Sequence, residues 1–211
     1  MKQSEMDLEL RMVAKSVAKA LRWRSIGSTI YWTNGPLFFT LVQGGSAKEG
    51  SYYCSLKFKW LELDRVFWRV MDMTGNEREP FSLHANGAFV LSGQEIHNIS
   101  ARGLEWLPGV LDHQLRIATR QASKRANDVA SQISSIHSYL AFIQREHAAL
   151  MQHHPRAVVN VWKEVLLVAM VEGDLPGAAL TARSRIAVGD SGGYSSGGKT
   201  FFERAQALCG T

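Results

Sequence analysis

A chain of 211 residues, 45% hydrophobic and 20% charged, can bury one real core or two small ones. That composition excludes disorder, collagen-like repetition and a disulfide-rich scaffold. The formal net charge is +5, mildly basic and by itself too weak to imply a nucleic-acid partner.

The first expected element is an amphipathic helix over about Ser4 to Leu21. Leu10, Val13, Ala14, Val17 and Leu21 recur at helical spacing, and Ser4 with Asp7 reads as its N-terminal cap. The texture then turns to β. Thr29 to Trp32 and Leu37 to Val42 flank Asn34-Gly35, a strong hairpin signal. A flexible run from Gly44 to Gly50 leads into a strand over Ser51 to Lys59. There Cys54, Leu56 and Phe58 alternate with Tyr53, Ser55, Lys57 and Lys59, which predicts a half-buried strand with a basic outer face. A short helix over Leu61 to Met71 and a fourth strand at Phe89 to Leu91 complete the first half.

From Pro108 the pattern is helical. Leu111, Leu115, Ala118, Ala122, Ala126, Val129, Ile133, Ile136, Leu140, Ile143, His147 and Leu150 form a near-heptad seam with one stutter. Either one long helix or two with a break near Lys124 to Asp128 satisfies it, and His153-His154-Pro155 ends it. Helices over Ala157 to Val171 and Leu175 to Ala187, separated by Gly173 and capped at Asp174, make a C-terminal hairpin. The expected fold is therefore α+β. An N-terminal helix lies on a small antiparallel sheet of 3–5 strands, and a long helix and a helical hairpin follow. The expected divisions are 1–107 and 108–211.

Chemistry-bearing motifs are few. Gly193 to Thr200 satisfies the phosphate-loop pattern G-x-x-x-x-G-K-[ST], whose Lys199 would reach phosphates and whose Thr200 would hold Mg²⁺. Only eleven residues follow, too few for the rest of a parallel sheet, and Thr200 with Glu203 equally makes a capping box for a short last helix. His147, His153 and His154 lie close together without a metal-ligand pattern, and Cys54 and Cys209 offer none, so no metal or cofactor is expected. So few cysteines suggest a reducing compartment. No nucleophile elbow or activated-cysteine signature is present, and Glu62, Asp64 and Asp72 among Arg65 and Arg69 read as surface ion pairs. Glu5, Asp7 and Glu9 argue against a targeting signal. The apolar stretch Val158 to Val171 is too short for a bilayer and carries Lys163 and Glu164, so the expectation is a cytoplasmic protein with no membrane role.

Two features suit a partner. His113, Arg116, Arg120 and Lys124 form a basic stripe on one helix face, with Arg125 beside it, fit for phosphates or an acidic protein surface. A solvated face is the alternative. In chain order the net charge is spread thinly, +3 over 1–26, −1 over 27–110, +2 over 111–155 and +1 over 156–211. The second feature is aromatic. Tyr31 and Trp32 are adjacent on one strand, as are Tyr52 and Tyr53, so one of each pair points outward, to a partner or under other helices.

The helix, then Ser25 to Trp32, then Leu41-Val42-Gln43 and Tyr53 to Phe58, resembles over about residues 8–60 a bacterial family catalogued as domain of unknown function 4304. Trp32 stands where that family carries Arg, and Gly44-Gly45-Ser46 where it carries Lys-Ser. The resemblance implies a small α+β domain and, from the genomic company of such domains, toxin immunity or defence; it assigns no functional residue. The expectation is a non-catalytic bacterial protein-binding module, an immunity-type inhibitor or defence component whose partner is a toxin or effector. Tyr31, Trp32, Tyr52, Tyr53, Arg116, Arg120 and Lys124 are the candidate contacts. The alternatives are a nucleic-acid-associated protein using the basic stripe and, more remotely, a nucleotide-binding enzyme using residues 193–200. An apolar seam as long as 111–150 also predicts a homodimer.

Overall fold

The structure is a computed structural model that describes residues 2–87, 89–153 and 161–210. An N-terminal helix, a five-stranded antiparallel sheet and a series of later helices make it an α+β fold. The chain divides into two compact units, Met1–Leu61 with Pro80–Gln132, and Glu62–Glu79 with Ile133–Thr211. This division falls elsewhere than at 107/108 because the first long helix packs on the N-terminal helix and on the sheet.

In the first unit, α1 (Gln3–Ala20) starts from Lys2, whose backbone N–H donates to Glu5 Oε2 at 2.8 Å. The cap is thus Lys2 with Glu5, while Asp7 accepts from the Gln3 side chain at 2.8 Å. Met6, Leu10, Ala14, Val17 and Ala18 are its buried stripe, and Leu21, past the last turn, is 42% exposed. The strands β1 (Arg24–Ile26), β2 (Thr29–Asn34), β3 (Leu37–Ser46), β4 (Ser51–Trp60) and β5 (Gln94–Ala101) pair in chain order. Opposed residues share a face, so Ile30, Leu41 and Leu56 line up, as do Trp32, Phe39 and Phe58.

The strand expected at Phe89 to Leu91 is β5 instead. Val90 and Leu91 are buried in a bend, and the Leu91 carbonyl accepts from Lys59 Nζ at 2.9 Å. Strand β5 is polar and half-exposed, which hid it from an apolar search. Lys59 is only 2% exposed, so the expected basic outer face of β4 fails there. Its ammonium also reaches the carbonyl of His84 in the short helix α3 (Leu83–Asn86), again at 2.9 Å.

Helix α4 (Val110–Ala130) follows, with Leu111, Leu115, Ala118, Ala122, Ala126 and Val129 all buried. The long seam therefore breaks, but at Ser131 to Ser135, beyond Lys124 to Asp128. The serines supply the reason. Ser138 Oγ accepts from the backbone N–H of Ser134 and Ser135, and Ser135 Oγ accepts from that of Ser138, a reciprocal cap that starts a new helix.

The second unit contains α2 (Leu63–Val70), a 3₁₀ turn (Thr74–Arg78) and α5 (Ile136–His153). It continues with α6 (Trp162–Val171), α7 (Leu175–Ala187), β6 (Ser195–Ser196), β7 (Lys199–Thr200) and α8 (Phe201–Cys209). Asp174 caps α7 by accepting from Gly177 N–H at 2.9 Å, which closes the predicted α6–α7 hairpin. The expected helix start at 157–160 and the stop at His154 and Pro155 lie outside the described residues. Phe67, Phe201 and Phe202 are fully buried, with the Phe67 and Phe201 rings stacked at 5.5 Å. Among the described residues no helix is long and apolar enough to cross a membrane.

Candidate binding groove

Residues four apart on a helix stand above one another, and α4 uses this twice. Arg116, Arg120 and Lys124 form one row, and Thr119, Ser123 and Asn127 form the row beside it. Together with Val17, Ala20 and Leu21 of the α1 end they line a groove of about 560 Å³ in the first unit. At about 1.5 Å per residue each row is about 12 Å long. The floor is apolar and one wall is cationic. Arg116 is held by Asp112, Nε to Oδ2 at 2.7 Å, which raises its guanidinium above its ordinary value. Arg120 and Lys124 are exposed and make no ion pair or hydrogen bond with the described residues. Arg125 points away, donating from Nε to the Ile96 carbonyl at 3.3 Å.

Of the aromatic candidates, Tyr31 and Trp32 border a second pocket, of about 330 Å³, with Arg22, Trp23, Arg24, Thr33 and Phe81. Trp23 stacks on Trp32 at 3.8 Å and 6°, and Trp32 stacks on Phe39 at 5.3 Å. Tyr52 and Tyr53 go elsewhere. Tyr52 is fully buried, its hydroxyl 3.4 Å from Gln43 Oε1, and burial first, then Cys54, drives its pKa up. Tyr53 is 50% exposed, with its ring laid over Gly44, where any larger residue would collide with it. The structure therefore brings five of the seven candidate residues to two adjoining pockets at the end of α1, and leaves Tyr52 and Tyr53 out of both. Arg22 and Arg24 went unselected in the sequence, although the alternation Arg22-Trp23-Arg24 carries the signal.

The Cys54 thiol, 1% exposed, is pushed by burial up to about 12, the wrong direction for a nucleophile. The glycine-rich segment is a hairpin. Ser195 pairs with Thr200 and Ser196 with Lys199, and Gly197 and Gly198 turn at φ 56° and 74°, the left-handed pair that a two-residue turn requires. Arg204 donates twice to the Ser196 carbonyl, at 3.1 and 2.8 Å. Thr200 and Glu203 make the capping box of α8, which pulls the Glu203 pKa down through the Thr200 hydrogen bonds. The backbone N–H groups needed to cradle phosphate are thus arranged as a turn, and the Thr200 hydroxyl is engaged with Glu203 at 2.9 Å.

Lys163 anchors the approach to this hairpin. It is 8% exposed, donates to the Gly192 carbonyl at 2.7 Å and lies 4.8 Å from the Tyr194 ring centre. Burial lowers its pKa, while Glu164 and Asp190 oppose that shift. Asp64, expected on the surface, is fully buried and helps to raise the Tyr194 pKa, after burial itself. Among the described residues no group of three or more His, Cys, Asp and Glu is placed to hold a metal. No protein-family model, no curated protein and no solved structure matches the chain.

Proposed function

We propose that the chain is a non-catalytic binding module that takes an acidic, amphipathic segment of another protein into the α1–α4 groove. The observation that carries this reading is the pairing of an apolar floor, Val17, Ala20 and Leu21, with the cationic row Arg116, Arg120 and Lys124. A partner helix with acids four apart matches the row at about 6 Å per step, and its apolar face fills the floor. A bare phosphate backbone would gain nothing from the floor. Charge supports it further. The first unit holds fourteen Lys and Arg against eight Asp and Glu, a net +6, while the second holds ten against eleven, a net −1. The N-terminal resemblance makes a bacterial toxin or defence effector, met in the cytoplasm, the proposed source of such a segment. A homodimer through the 111–150 seam would use α5, where Ile136, Leu140, His147 and Leu150 are half-buried, since the α4 part of the seam is buried.

The test is fluorescence anisotropy with a labelled helical peptide carrying Glu and Leu on opposite faces, beside a single-stranded oligonucleotide. Saturable peptide binding that falls at least tenfold in Arg120→Glu/Lys124→Glu supports the proposal. Oligonucleotide binding that weakens steeply with salt, with no peptide binding, replaces it with the nucleic-acid reading.

A further inference from the structure

The second pocket has a chemistry of its own. Four rings, Phe58, Phe39, Trp32 and Trp23, stack in a row with successive centroids 5.9, 5.3 and 3.8 Å apart. The row runs from buried Phe58 to half-buried Trp23 at the pocket. Arg24, opposed to Tyr31 and so on the other face of the sheet edge, lies 5.4 Å over the Phe81 ring, and neither Arg22 nor Arg24 makes an ion pair or hydrogen bond through its side chain with the described residues. No carboxylate lines the pocket, so two guanidinium forks, with five N–H donors each, face it without an anion. Strand β1 pairs only with Thr29, Ile30 and Tyr31, which leaves Trp32 and Thr33 on an open sheet edge with backbone groups to offer.

The backbone adds an independent sign. Arg22 sits at φ 58° where α1 ends, with Trp23 N–H bonded to the Ala18 carbonyl at 2.8 Å. That is the helix-ending position glycine normally fills. The end of α2 has the same geometry at Asp72, φ 59°, but Asp tolerates it through its short polar side chain and Arg does not. A residue other than glycine there carries strain, and such strain clusters where a side chain has work to do.

We propose that the pocket of Arg22, Trp23, Arg24, Trp32, Thr33 and Phe81 binds a planar aromatic anion of the nucleoside monophosphate class. The ring lies on Trp23 at the open end of the stack, and the phosphate reaches past the open sheet edge at Thr33 to Arg22 and Arg24. The volume, about 330 Å³, is at the small end of ligand pockets and fits one nucleotide. A free nucleotide and the phosphorylated end of a strand present the same chemistry.

Intrinsic tryptophan fluorescence of the full chain, titrated with AMP, tests the assignment beside adenosine, inorganic phosphate and a short 5′-phosphorylated oligonucleotide. AMP quenches saturably, and adenosine and phosphate each bind at least tenfold more weakly. An oligonucleotide that binds as well as AMP identifies a strand end as the source, and one that does not identifies the free nucleotide. Arg24→Gln weakens AMP at least tenfold at unchanged Tm. Arg22→Gly weakens it as well while leaving Tm unchanged or higher, a combination that a purely structural Arg22 would not give. Absence of saturation up to about 10 mM AMP, which means binding weaker than about −3 kcal/mol, overturns the proposal. So does equal binding of adenosine and AMP, or unaltered AMP affinity in both arginine variants.

Discussion

The two units treat charge in opposite ways. The first carries the whole positive excess and leaves Arg120, Lys124, Arg22 and Arg24 exposed at two pockets, with no ion pair or hydrogen bond through their side chains among the described residues. The second is close to neutral and takes charge inside, with Asp64 at 0%, Glu164 at 2% and Lys163 at 8% exposure. Charge held inside fixes a loop, as Lys163 does at the Gly192 carbonyl. Charge held outside without a partner is available to one. The difference predicts that charge removal costs stability in the second unit and binding in the first.

The largest effect is expected at Lys163. Lys163→Ala removes the buried cation beside Glu164 and the donor to the Gly192 carbonyl, for a loss of about 3–5 kcal/mol, while Asp190 keeps Arg185 at 3.2 Å. Urea unfolding followed by circular dichroism measures it, and a loss below about 1 kcal/mol would place the lysine among surface charges. Lys59 is the exception within the first unit, a buried lysine held by two carbonyls. Lys59→Met frees those two acceptors and costs about 1–3 kcal/mol in the same assay.

Smaller again is Thr200→Ala, which removes the α8 cap for about 1 kcal/mol. The sign with pH follows from the lowered Glu203 value. Its contribution is full above the ordinary glutamate range and is lost as pH falls through the lowered folded value, because the unfolded chain takes up the proton first. Thr200→Ala removes only the hydroxyl's share of that acid dependence, because the backbone N–H of residue 200 still donates to Glu203, so the gap between variant and parent narrows in acid. Arg120→Ala and Lys124→Ala change stability by no more than about 0.5 kcal/mol, since each side chain is exposed and unpaired. A larger loss would show that the row serves the fold.

Much of the fold is legible in the sequence because it rests on periodicity. The Leu10 to Val17 stripe, the β2–β3 hairpin at Asn34-Gly35, the Asp174 cap and the 175–187 helix all appear where spacing places them. Strand β5 escapes because an edge strand needs little apolar surface, and Phe89 to Leu91 misleads because apolar residues also bury in bends. The break after Ala130 depends on serine side chains competing with the helix, which an apolar count ignores. At the candidate sites, the basic row is readable from four-residue spacing alone. Its apolar floor is not, since Val17 and Leu21 stand about a hundred positions away and look like core. The concentration of charge is equally hidden, because the first unit is assembled from two separate stretches of chain.

The central claim is that the α1–α4 groove is the docking site for an acidic amphipathic segment. Titration of the uniformly ¹⁵N-labelled full chain with the Glu/Leu peptide, read amide by amide, tests it most directly. The account predicts saturable shifts confined to Val17–Leu21 and Arg116–Asn127, abolished in Arg120→Glu/Lys124→Glu. Shifts centred on residues 162–210, or shifts at the groove that survive the double charge reversal, would contradict it.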